Sequence, residues 1–257
     1  MGDLSATPDS QPDSHNTARV DAADPVPDAR TALASTGAHV VPAAVLRHHL
    51  RAHHSQWTRF AAHWEDLRLD QYAARSGTRR MRRYGRFLLA RDGTRHLQPH
   101  ATFRQPASTN RLFPNAGRDF EPLTDAFVAD LVLDALLSLL SQIAAGIEDA
   151  PRWLAHVHPF RVLGSTDSQG DATPEGRHQD GVTLVSSLLV ARRNATGGTS
   201  SVYDANGREV LTTTLSEPGT LLVGDDRHTW HSVSPIRPIA TDAPALRDVL
   251  VVTLAAC

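Results

Sequence analysis

Apolar residues recur at helical spacing in one long stretch of the chain. Between residues 124 and 146, from Phe127 to Ile143, they fall at positions i, i+1, i+4 and i+5. This spacing follows the period of an α-helix and gives it one apolar face. The pattern predicts a helix over 124–146 that packs its apolar face against a sheet.

From residue 153 onward the pattern changes to short apolar runs separated by turn residues. Asn206-Gly207 between two of these runs predicts a two-residue hairpin turn. Repeated short strands indicate a sandwich, jelly roll or barrel, and helices before strands indicate an α+β fold. The predicted strands are Trp153–Leu163, Gly181–Ala191, Thr199–Tyr203, Glu209–Leu215, Thr220–Val223, Thr229–Val233 and Asp248–Leu254.

The start of the chain has a different composition. Residues 1–36 are rich in Asp, Pro, Ser, Ala and Thr and contain no aromatic residue. Such a segment buries too little apolar surface to offset its loss of conformational entropy. We therefore expect a disordered tail over 1–36 and a single domain over 37–257, with helices of the N-terminal half covering one outer face of the strands.

Composition and charge exclude several classes of protein. With a formal net charge of −2 and 21% charged residues, the chain is not expected to bind nucleic acid or an anionic membrane. It has no apolar run long enough to span a membrane and no secretory signal at its start. The single cysteine, Cys257, excludes an intramolecular disulfide and favours a cytoplasmic location.

An arginine-rich stretch over residues 79–86 precedes the helix at 124–146. A run of like charges is usually a solvated face, and this interpretation is favoured here. Aromatic residues are not interleaved with the arginines as nucleic-acid binding would require.

The segment 175–181 contains the tripeptide His178-Gln179-Asp180. In an extended chain, side chains two residues apart point to the same face, so the imidazole and the carboxylate lie side by side. Together they supply two ligands of the two-histidine, one-carboxylate triad that non-haem Fe(II) oxygenases use. Because the chain has fourteen histidines, the motif alone is weak, and a third ligand must support it.

Two histidines further along the chain are candidates for the third ligand. His228 and His231 are three residues apart, so in a strand only one of them faces the interior. His231 lies in the apolar-flanked run 229–233, whereas His228 adjoins a charged turn. The pattern therefore favours His231 as the ligand and places His228 at the surface or beside the ligands as a hydrogen-bond partner.

Other histidines are weaker candidates. His156 and His158 share one strand face but have no carboxylate at strand spacing and have Arg161 nearby. His49 and His53 lie one turn apart on a predicted helix, where histidines are usually solvated. We expect neither pair to bind a metal.

Arg247 stands where the last apolar strand begins. An arginine that enters a buried strand needs an anionic partner, because an unpaired buried charge is costly. Asp248 is its neighbour and would face the opposite way; Asp242 is the other candidate partner. The guanidinium fork suits a carboxylate, so a ligand carboxylate is the favoured partner.

These motifs resemble the Fe(II)- and 2-oxoglutarate-dependent dioxygenases. More narrowly, they resemble the bacterial family that contains the free L-isoleucine 4-hydroxylases. The resemblance covers roughly residues 80–254 and includes the upstream segment 158–161 and the loop 105–122. The matching motifs are Pro174–Gly181, Asn194–Ser200, Asp225–His231 and Arg247–Thr253.

The resemblance implies a double-stranded β-helix, a jelly roll of two sheets, with the metal at one mouth. It implies that Fe(II) is held by His178, Asp180 and His231, which are also the catalytic residues, and that Arg247 binds the distal carboxylate of 2-oxoglutarate. Many relatives have a serine two residues after this arginine, where this chain has Val249.

A second partner for 2-oxoglutarate must therefore come from elsewhere in the chain. The cosubstrate-binding candidates that we predict are Thr199 and Tyr203, with Ser186 as a further possibility.

The resemblance also implies the reaction: attack on an unactivated C–H bond of a free amino acid or a derivative. Hydroxylation is the expected outcome, with dioxygen as cosubstrate and succinate and CO2 as coproducts. Desaturation or ring closure would use the same cofactors. Two alternatives are a cupin-like metalloprotein that does not use 2-oxoglutarate and a non-catalytic binding domain.

An amino-acid substrate brings a carboxylate that needs a cation. Arg161 and Arg118 are the predicted clamps, and Gln105 and Asn110 are predicted polar residues of the substrate pocket. The oligomeric state is left open.

Overall fold

A computed structural model describes residues 24–75, 77–105 and 116–257. The helices are α1 (Pro25–Thr36), α2 (Ala43–His49), α3 (His54–Ala62), α4 (Gln71–Arg75), α5 (Asp125–Val128) and α6 (Leu131–Ala144). The strands are β1 (Ala38–Val41), β2 (Arg68–Leu69), β3 (Arg80–Arg82), β4 (Gly85–Ala90), β5 (Arg95–Leu97), β6 (Arg152–Gly164), β7 (Leu184–Arg193), β8 (Ala195–Gly197), β9 (Thr199–Tyr203), β10 (Glu209–Thr214), β11 (Leu221–Asp225), β12 (Trp230–Val233), β13 (Ile236–Pro238) and β14 (Ala245–Ala256).

Nine of these strands form one large antiparallel sheet. Its main order is β1-β11-β7-β14-β6-β3-β2, and β4 joins β6 and β5 beside this path. The long strands β6 and β14 lie at its centre, with Val162 opposite Arg247 and Arg161 opposite Asp248. Because side chains alternate along a strand, neighbours on β14 face opposite sides of this sheet.

The shorter strands form two small sheets, β10-β9-β12 and β13-β8. Val202 of β9 packs with Leu189 of β7 and Val249 of β14, so the small sheet and the large one share a core. Two facing antiparallel sheets form the jelly roll that the strand pattern predicts. The prediction of an α+β fold with a double-stranded β-helix is confirmed.

Helices cover the other face of the large sheet. Apolar residues of α1, α3 and α6 pack with Ala155, Val157, Leu250 and Val252 of the central strands. This helical layer leaves the opposite face of the same strands to line a cavity. Among the described residues, no helix is long and apolar enough to cross a membrane.

The predicted helix over 124–146 is interrupted. Asp130 separates α5 from α6, and its carboxylate accepts the N–H of Val132 at 2.8 Å as an N-cap. A short acidic side chain competes for backbone N–H groups, which favours a helix start over a helix interior. The apolar period alone does not show this break.

The prediction of a tail as far as residue 36 is wrong in its boundary, because residues 25–36 form α1. Asp24 caps this helix by accepting the N–H of Val26, and Gly37 ends it with φ +79°. Val26 and Leu33 are buried against the helical layer, which supplies the apolar contacts that composition alone does not reveal. Residues 1–23 lie outside the described residues.

The interpretation of the arginine stretch as a solvated face is also wrong. Arg80, Arg82 and Arg83 are each at least 90% buried. Arg80 donates two hydrogen bonds to Asp70, and Arg82 lies over the ring of Phe120 at 3.6 Å. These partners come from other parts of the chain, so a local charge count could not show them.

The hairpin between β9 and β10 is present, but its turn is longer than predicted. Tyr203 pairs with Glu209, which leaves five residues, 204–208, in the loop. Gly207 has φ +80°, whereas Asn206 does not adopt a positive φ. The Asp204 carboxylate accepts the N–H groups of Asn206 and Arg208 and so stabilises the longer loop.

Candidate metal and cosubstrate site

The structure brings three predicted metal ligands together. Each of His178, Asp180 and His231 offers one donor atom, and these atoms lie within 4.8 Å of one another. His178 and His231 form an isolated antiparallel bridge, with N–H to O distances of 3.0 and 2.9 Å in the two directions. His231 belongs to β12, whereas His178 and Asp180 lie on the extended segment that precedes β7.

A hydrogen bond orients the imidazole of His178, and the ring of His231 points one nitrogen at Asp180. His178 Nδ1 lies 3.0 Å from the carbonyl oxygen of Gly176, so it donates there and its Nε2 faces the cluster. His231 Nε2 lies 3.6 Å from Asp180 Oδ2. One nitrogen of each ring and one carboxylate oxygen therefore converge on a common point, as a metal site requires.

Burial disfavours the charged forms of the side chains in this cluster. It raises the pKa of Asp180 and lowers the pKa of His231 to about 4. Neutral imidazoles beside a carboxylate are the donors that suit a divalent transition metal. The residues present therefore fit Fe(II).

His228, the other candidate, is placed differently. Its side chain is 73% exposed, and its Nδ1 lies 3.1 Å from Asp225 in the turn before β12. His228 lies in the turn 226–228, before β12 begins at Trp230, so the turn and not strand alternation places its ring at the surface.

The metal cluster opens into a cavity of about 310 Å³ between the sheets. This volume is suited to small molecules. The lining residues on the central strands are His156, His158, Phe160 and Val162 of β6 and Arg247, Val249, Val251 and Thr253 of β14.

Arg247 is a buried cation in this cavity. It is 1% exposed, and its Nε and Nη2 have no hydrogen-bond partner in the described part of the chain. Burial, and then the charge of Arg192, lowers its pKa to about 10. A buried guanidinium with two unused donors needs an anion, so this end of the cavity suits a carboxylate.

The predicted cosubstrate residues Thr199 and Tyr203 do not line this cavity. Thr199 Oγ1 forms a hydrogen bond with Thr214 on an exposed surface, and Tyr203 lies beneath Arg177. Both lie on the outward-facing positions of β9, so the structure contradicts this prediction.

Two buried serines lie closer to the metal cluster: Ser186 lines the cavity that contains Arg247, and Ser200 lines only a smaller one beside it. Ser200 is 2% exposed, and its Oγ has no partner among the described residues. It lines a smaller cavity of about 50 Å³ that also touches Ser186 and His231. Ser186 Oγ already donates to the carbonyl of Val252 at 2.9 Å. Alternation from Val202, an apolar inward position, is the pattern that could have identified Ser200.

Arg161 is not a substrate clamp, contrary to the prediction. It faces away from the cavity, and it forms ion pairs with Asp248 at 2.8 Å and Glu65 at 2.8 Å. The hydrogen bonds that it donates to Asp248 and then to Glu65 raise its pKa further above the ordinary value. Arg161 alternates with the cavity-lining residues Phe160 and Val162, so its position in the strand places it on the other side.

Arg118 and Gln105 do line the cavity. Gln105 Nε2 donates to Asp180 Oδ1 at 3.1 Å, and Arg118 donates to Gln105 Oε1. Gln105 therefore contacts a candidate metal ligand directly. Asn110, the remaining predicted pocket residue, lies outside the described residues.

Arg82 is a cavity residue that the sequence did not single out. It lies at hydrogen-bond distance, 2.5 Å, from His158 Nδ1, and Phe120 and Phe160 cover its guanidinium. Burial lowers the pKa of His158 well below its ordinary value and the pKa of His156 to about 4. This end of the cavity is thus cationic through arginine, with neutral histidines beside it.

Comparisons with known proteins agree with this geometry. The family model described as 2OG-Fe dioxygenase matches residues 61–253. A bsmA homolog from Methylobium petroleophilum PM1 has a similar structure, with a TM-score of 0.81 and 30% identity over 90% of this chain and 92% of that one. No curated protein sequence matches the chain significantly.

More distant structures share the fold. IDO from Bacillus thuringiensis has a TM-score of 0.73 at 18% identity and covers 90% of this chain and 95% of that one. The Fe(II)/α-ketoglutarate-dependent dioxygenase TqaL has a TM-score of 0.71 at 16% identity, with 90% and 87% covered.

A jelly roll with two histidines, a carboxylate and a buried arginine around one cavity defines the class of Fe(II)- and 2-oxoglutarate-dependent oxygenases. The chain belongs to the 2OG-Fe dioxygenase family. It is therefore a dioxygenase, and its cofactors are Fe(II) and 2-oxoglutarate. Membership of this family excludes the two alternatives, a cupin-like metalloprotein that does not use 2-oxoglutarate and a non-catalytic binding domain. The isoleucine 4-hydroxylase group is a narrower expectation that these matches do not establish.

Proposed function

We propose that this dioxygenase attacks a C–H bond of a free amino acid or a close derivative, with hydroxylation as the expected reaction. The observation that carries the proposal is one cavity with a metal cluster and two separate cationic ends, at Arg247 and at Arg82. The two ends fit two carboxylate ligands, the cosubstrate and the substrate.

Three residues would hold the metal: His178, Asp180 and His231. Fe(II) held by them would supply the chemistry of the family: one dioxygen would be consumed as 2-oxoglutarate is converted to succinate and CO2 and the substrate is oxidised. The chain's own contribution is to fix the three ligands, to orient both organic molecules and to limit the access of water.

Arg247 would bind the distal carboxylate of 2-oxoglutarate. Its two unused donors supply the cation that the cosubstrate needs, and the cosubstrate supplies the anion that the buried guanidinium needs. We infer that Ser200 Oγ, and not Thr199 or Tyr203, makes the second contact with 2-oxoglutarate, because it is buried, without a partner among the described residues and on the inner face of β9.

The substrate end has a positive charge to neutralise. Asp70 accepts two hydrogen bonds from Arg80 and lies 3.8 Å from Arg82, so the two arginines share one carboxylate. Arg82 Nε has no hydrogen-bond partner in the described part of the chain. A substrate carboxylate beside Arg82 and Arg118 would compensate this charge.

An anionic group in the same cavity fits the amino group of such a substrate. Glu175 lines the cavity, and its Oε1 lies 3.5 Å from His178 Nε2. Arginines and a carboxylate in one cavity match the opposite charges of an amino acid, which supports a free amino acid over a neutral substrate.

A panel of free L-amino acids tests the proposal. Protein loaded anaerobically with Fe(II) and 2-oxoglutarate is exposed to dioxygen with each amino acid, and with the corresponding amino-acid amide as a matched control. We expect succinate release with one or a few acids but not with their amides, and a product that has gained one oxygen atom. The proposal would be contradicted if none of the amino acids stimulated succinate release above background. A product that has lost two hydrogen atoms would instead indicate desaturation or ring closure.

A further inference from the structure

A second carboxylate lies behind the metal cluster, outside the cavity lining. Asp226 is 1% exposed and occupies the turn between β11 and β12, five residues before His231. Within the described chain no arginine or lysine forms an ion pair with it. Its carboxylate group instead faces backbone amides and the ring of His231.

The Asp226 carboxylate accepts three consecutive backbone N–H groups. Asp180 donates to Oδ1 at 3.1 Å, and Gly181 and Val182 donate to Oδ2 at 2.7 and 3.0 Å. The backbone of Asp226 adds two more bonds to the same segment. Its carbonyl accepts from Gln179 Nε2 at 2.6 Å, and its N–H donates to the carbonyl of Thr183 at 3.2 Å.

The segment that carries two metal ligands depends on these bonds because it has little ladder pairing of its own. Between His178 and the start of β7, its only strand-like pairing in the described chain is the bridge from His178 to His231. Donation to a carboxylate is stronger than donation to a neutral acceptor, so three such bonds hold the backbone at Asp180 firmly.

The same carboxylate also faces the third ligand. Asp226 Oδ1 lies 3.7 Å from His231 Nδ1, and that nitrogen has no hydrogen-bond partner in the described part of the chain. The other ring nitrogen, Nε2, points towards Asp180. A carboxylate on the Nδ1 side favours a proton there, which leaves the lone pair of Nε2 for a metal.

We propose that Asp226 is a positioning residue for the metal site: it fixes the backbone of Asp180 and orients the ring of His231, without itself binding the metal. The inference rests on the proposed metal ligands. It adds a residue that positions two of them, Asp180 and His231, relative to each other. Loss of such a supporting carboxylate typically weakens metal binding by about 10- to 100-fold.

The neighbouring Asp225 provides a matched control. It is 4% exposed, ends β11 directly before the turn and accepts hydrogen bonds from Arg227 and His228, away from the ligand segment. Asp225→Asn should therefore disturb the turn without changing what the ligands contact. Asp226→Asn keeps the shape of the side chain but replaces one acceptor oxygen with an N–H donor group, which opposes the backbone amides.

The experiment measures Co(II) binding to the metal-free full chain by calorimetry and by the visible spectrum of the bound ion, with the melting temperature of each metal-free variant as a control for folding. We expect Asp226→Asn to bind Co(II) about 10- to 100-fold more weakly than wild type and with an altered spectrum. Asp225→Asn should bind with wild-type affinity and spectrum even if its melting temperature falls.

Wild-type affinity and spectrum in Asp226→Asn would overturn the positioning role, whatever its melting temperature. If wild type itself does not take up Co(II), the proposed metal site fails, and the inference fails with it. Should Asp226→Asn not fold, hydrogen exchange of metal-free wild type gives the answer. We expect slow exchange over residues 180–182 before any metal is added; exchange as fast as in an unprotected loop would refute the inference.

Discussion

Arg247 and Asp248 are neighbours on β14, and their side chains lie on opposite faces of the sheet. Asp248 pairs with Arg161 on one side of the sheet, whereas Arg247 enters the cavity with two donors unused among the described residues. Strand alternation therefore separates a structural ion pair from a ligand-binding cation only one residue away.

Replacement of Arg247 by alanine should weaken 2-oxoglutarate binding. A charge-assisted hydrogen bond contributes about 1.5–3 kcal/mol, so the apparent affinity should fall by roughly 10- to 100-fold. The measurement is the KM for 2-oxoglutarate or its dissociation constant in metal-loaded protein. An unchanged affinity would rule out this role for Arg247.

Ser200 and Thr199 form a matched pair for the second cosubstrate contact. Ser200→Ala removes a buried hydroxyl, and we expect 2-oxoglutarate affinity to fall by about 2- to 10-fold, the range for one hydrogen bond. Thr199→Ala removes a hydroxyl on the outer face and should leave the affinity unchanged. A loss of affinity in Thr199→Ala but not in Ser200→Ala would show that the outer face of β9, and not the inner one, contacts 2-oxoglutarate.

Arg82→Met should raise the KM for the substrate while leaving the KM for 2-oxoglutarate unchanged. The long apolar side chain keeps contact with Phe120 and Phe160 but removes the charge. We expect a rise of about 10- to 100-fold in substrate KM. Steady-state kinetics with the amino acid that the panel identifies gives both constants, and an equal effect on both would argue against separate binding ends.

The helical layer gives a prediction on pH that is independent of the metal site. Burial alone would raise the pKa of Asp130, but hydrogen bonds from His63 and from the N–H of Val132 outweigh it, so the pKa lies below its ordinary value of 3.8. A lowered folded-state pKa stabilises the fold above the ordinary value, and this contribution is lost as the pH falls through the folded-state pKa.

Asp130→Asn isolates that charge, because asparagine is also a good N-cap. We expect the variant to have a lower free energy of unfolding than wild type near pH 7, with the difference shrinking towards zero near pH 2. Urea denaturation at a series of pH values measures this difference. A difference that does not vary with pH would mean that the carboxylate charge does not stabilise α6.

Features that depend on local periodicity could be predicted from the sequence. Alternation placed His178 and Asp180 on one face, and the charged turn beside His228 distinguished an exposed ring from His231 in the cluster. The apolar period identified α6. These features follow from geometry within a few residues, so no knowledge of distant contacts was needed.

Features that depend on distant partners were not predictable in this way. The burial of Arg80 and Arg82 depends on Asp70, Phe120 and Phe160, which come from three other segments. Arg161 differs from these residues, because its partners Glu65 and Asp248 are also distant in the chain but its alternation with Phe160 is a local feature of the sequence. The contacts of Asp226 are with backbone N–H groups, which leave no side-chain pattern in the sequence.

The most direct test of the account is anaerobic Fe(II) binding to wild type, His231→Ala and His228→Ala in the presence of 2-oxoglutarate, followed by calorimetry and by visible absorption. Wild type and His228→Ala should bind one Fe(II) per chain, because His228 lies at the surface, whereas His231→Ala should lose the site. Retention of Fe(II) by His231→Ala together with its loss in His228→Ala would contradict the metal site described for this protein.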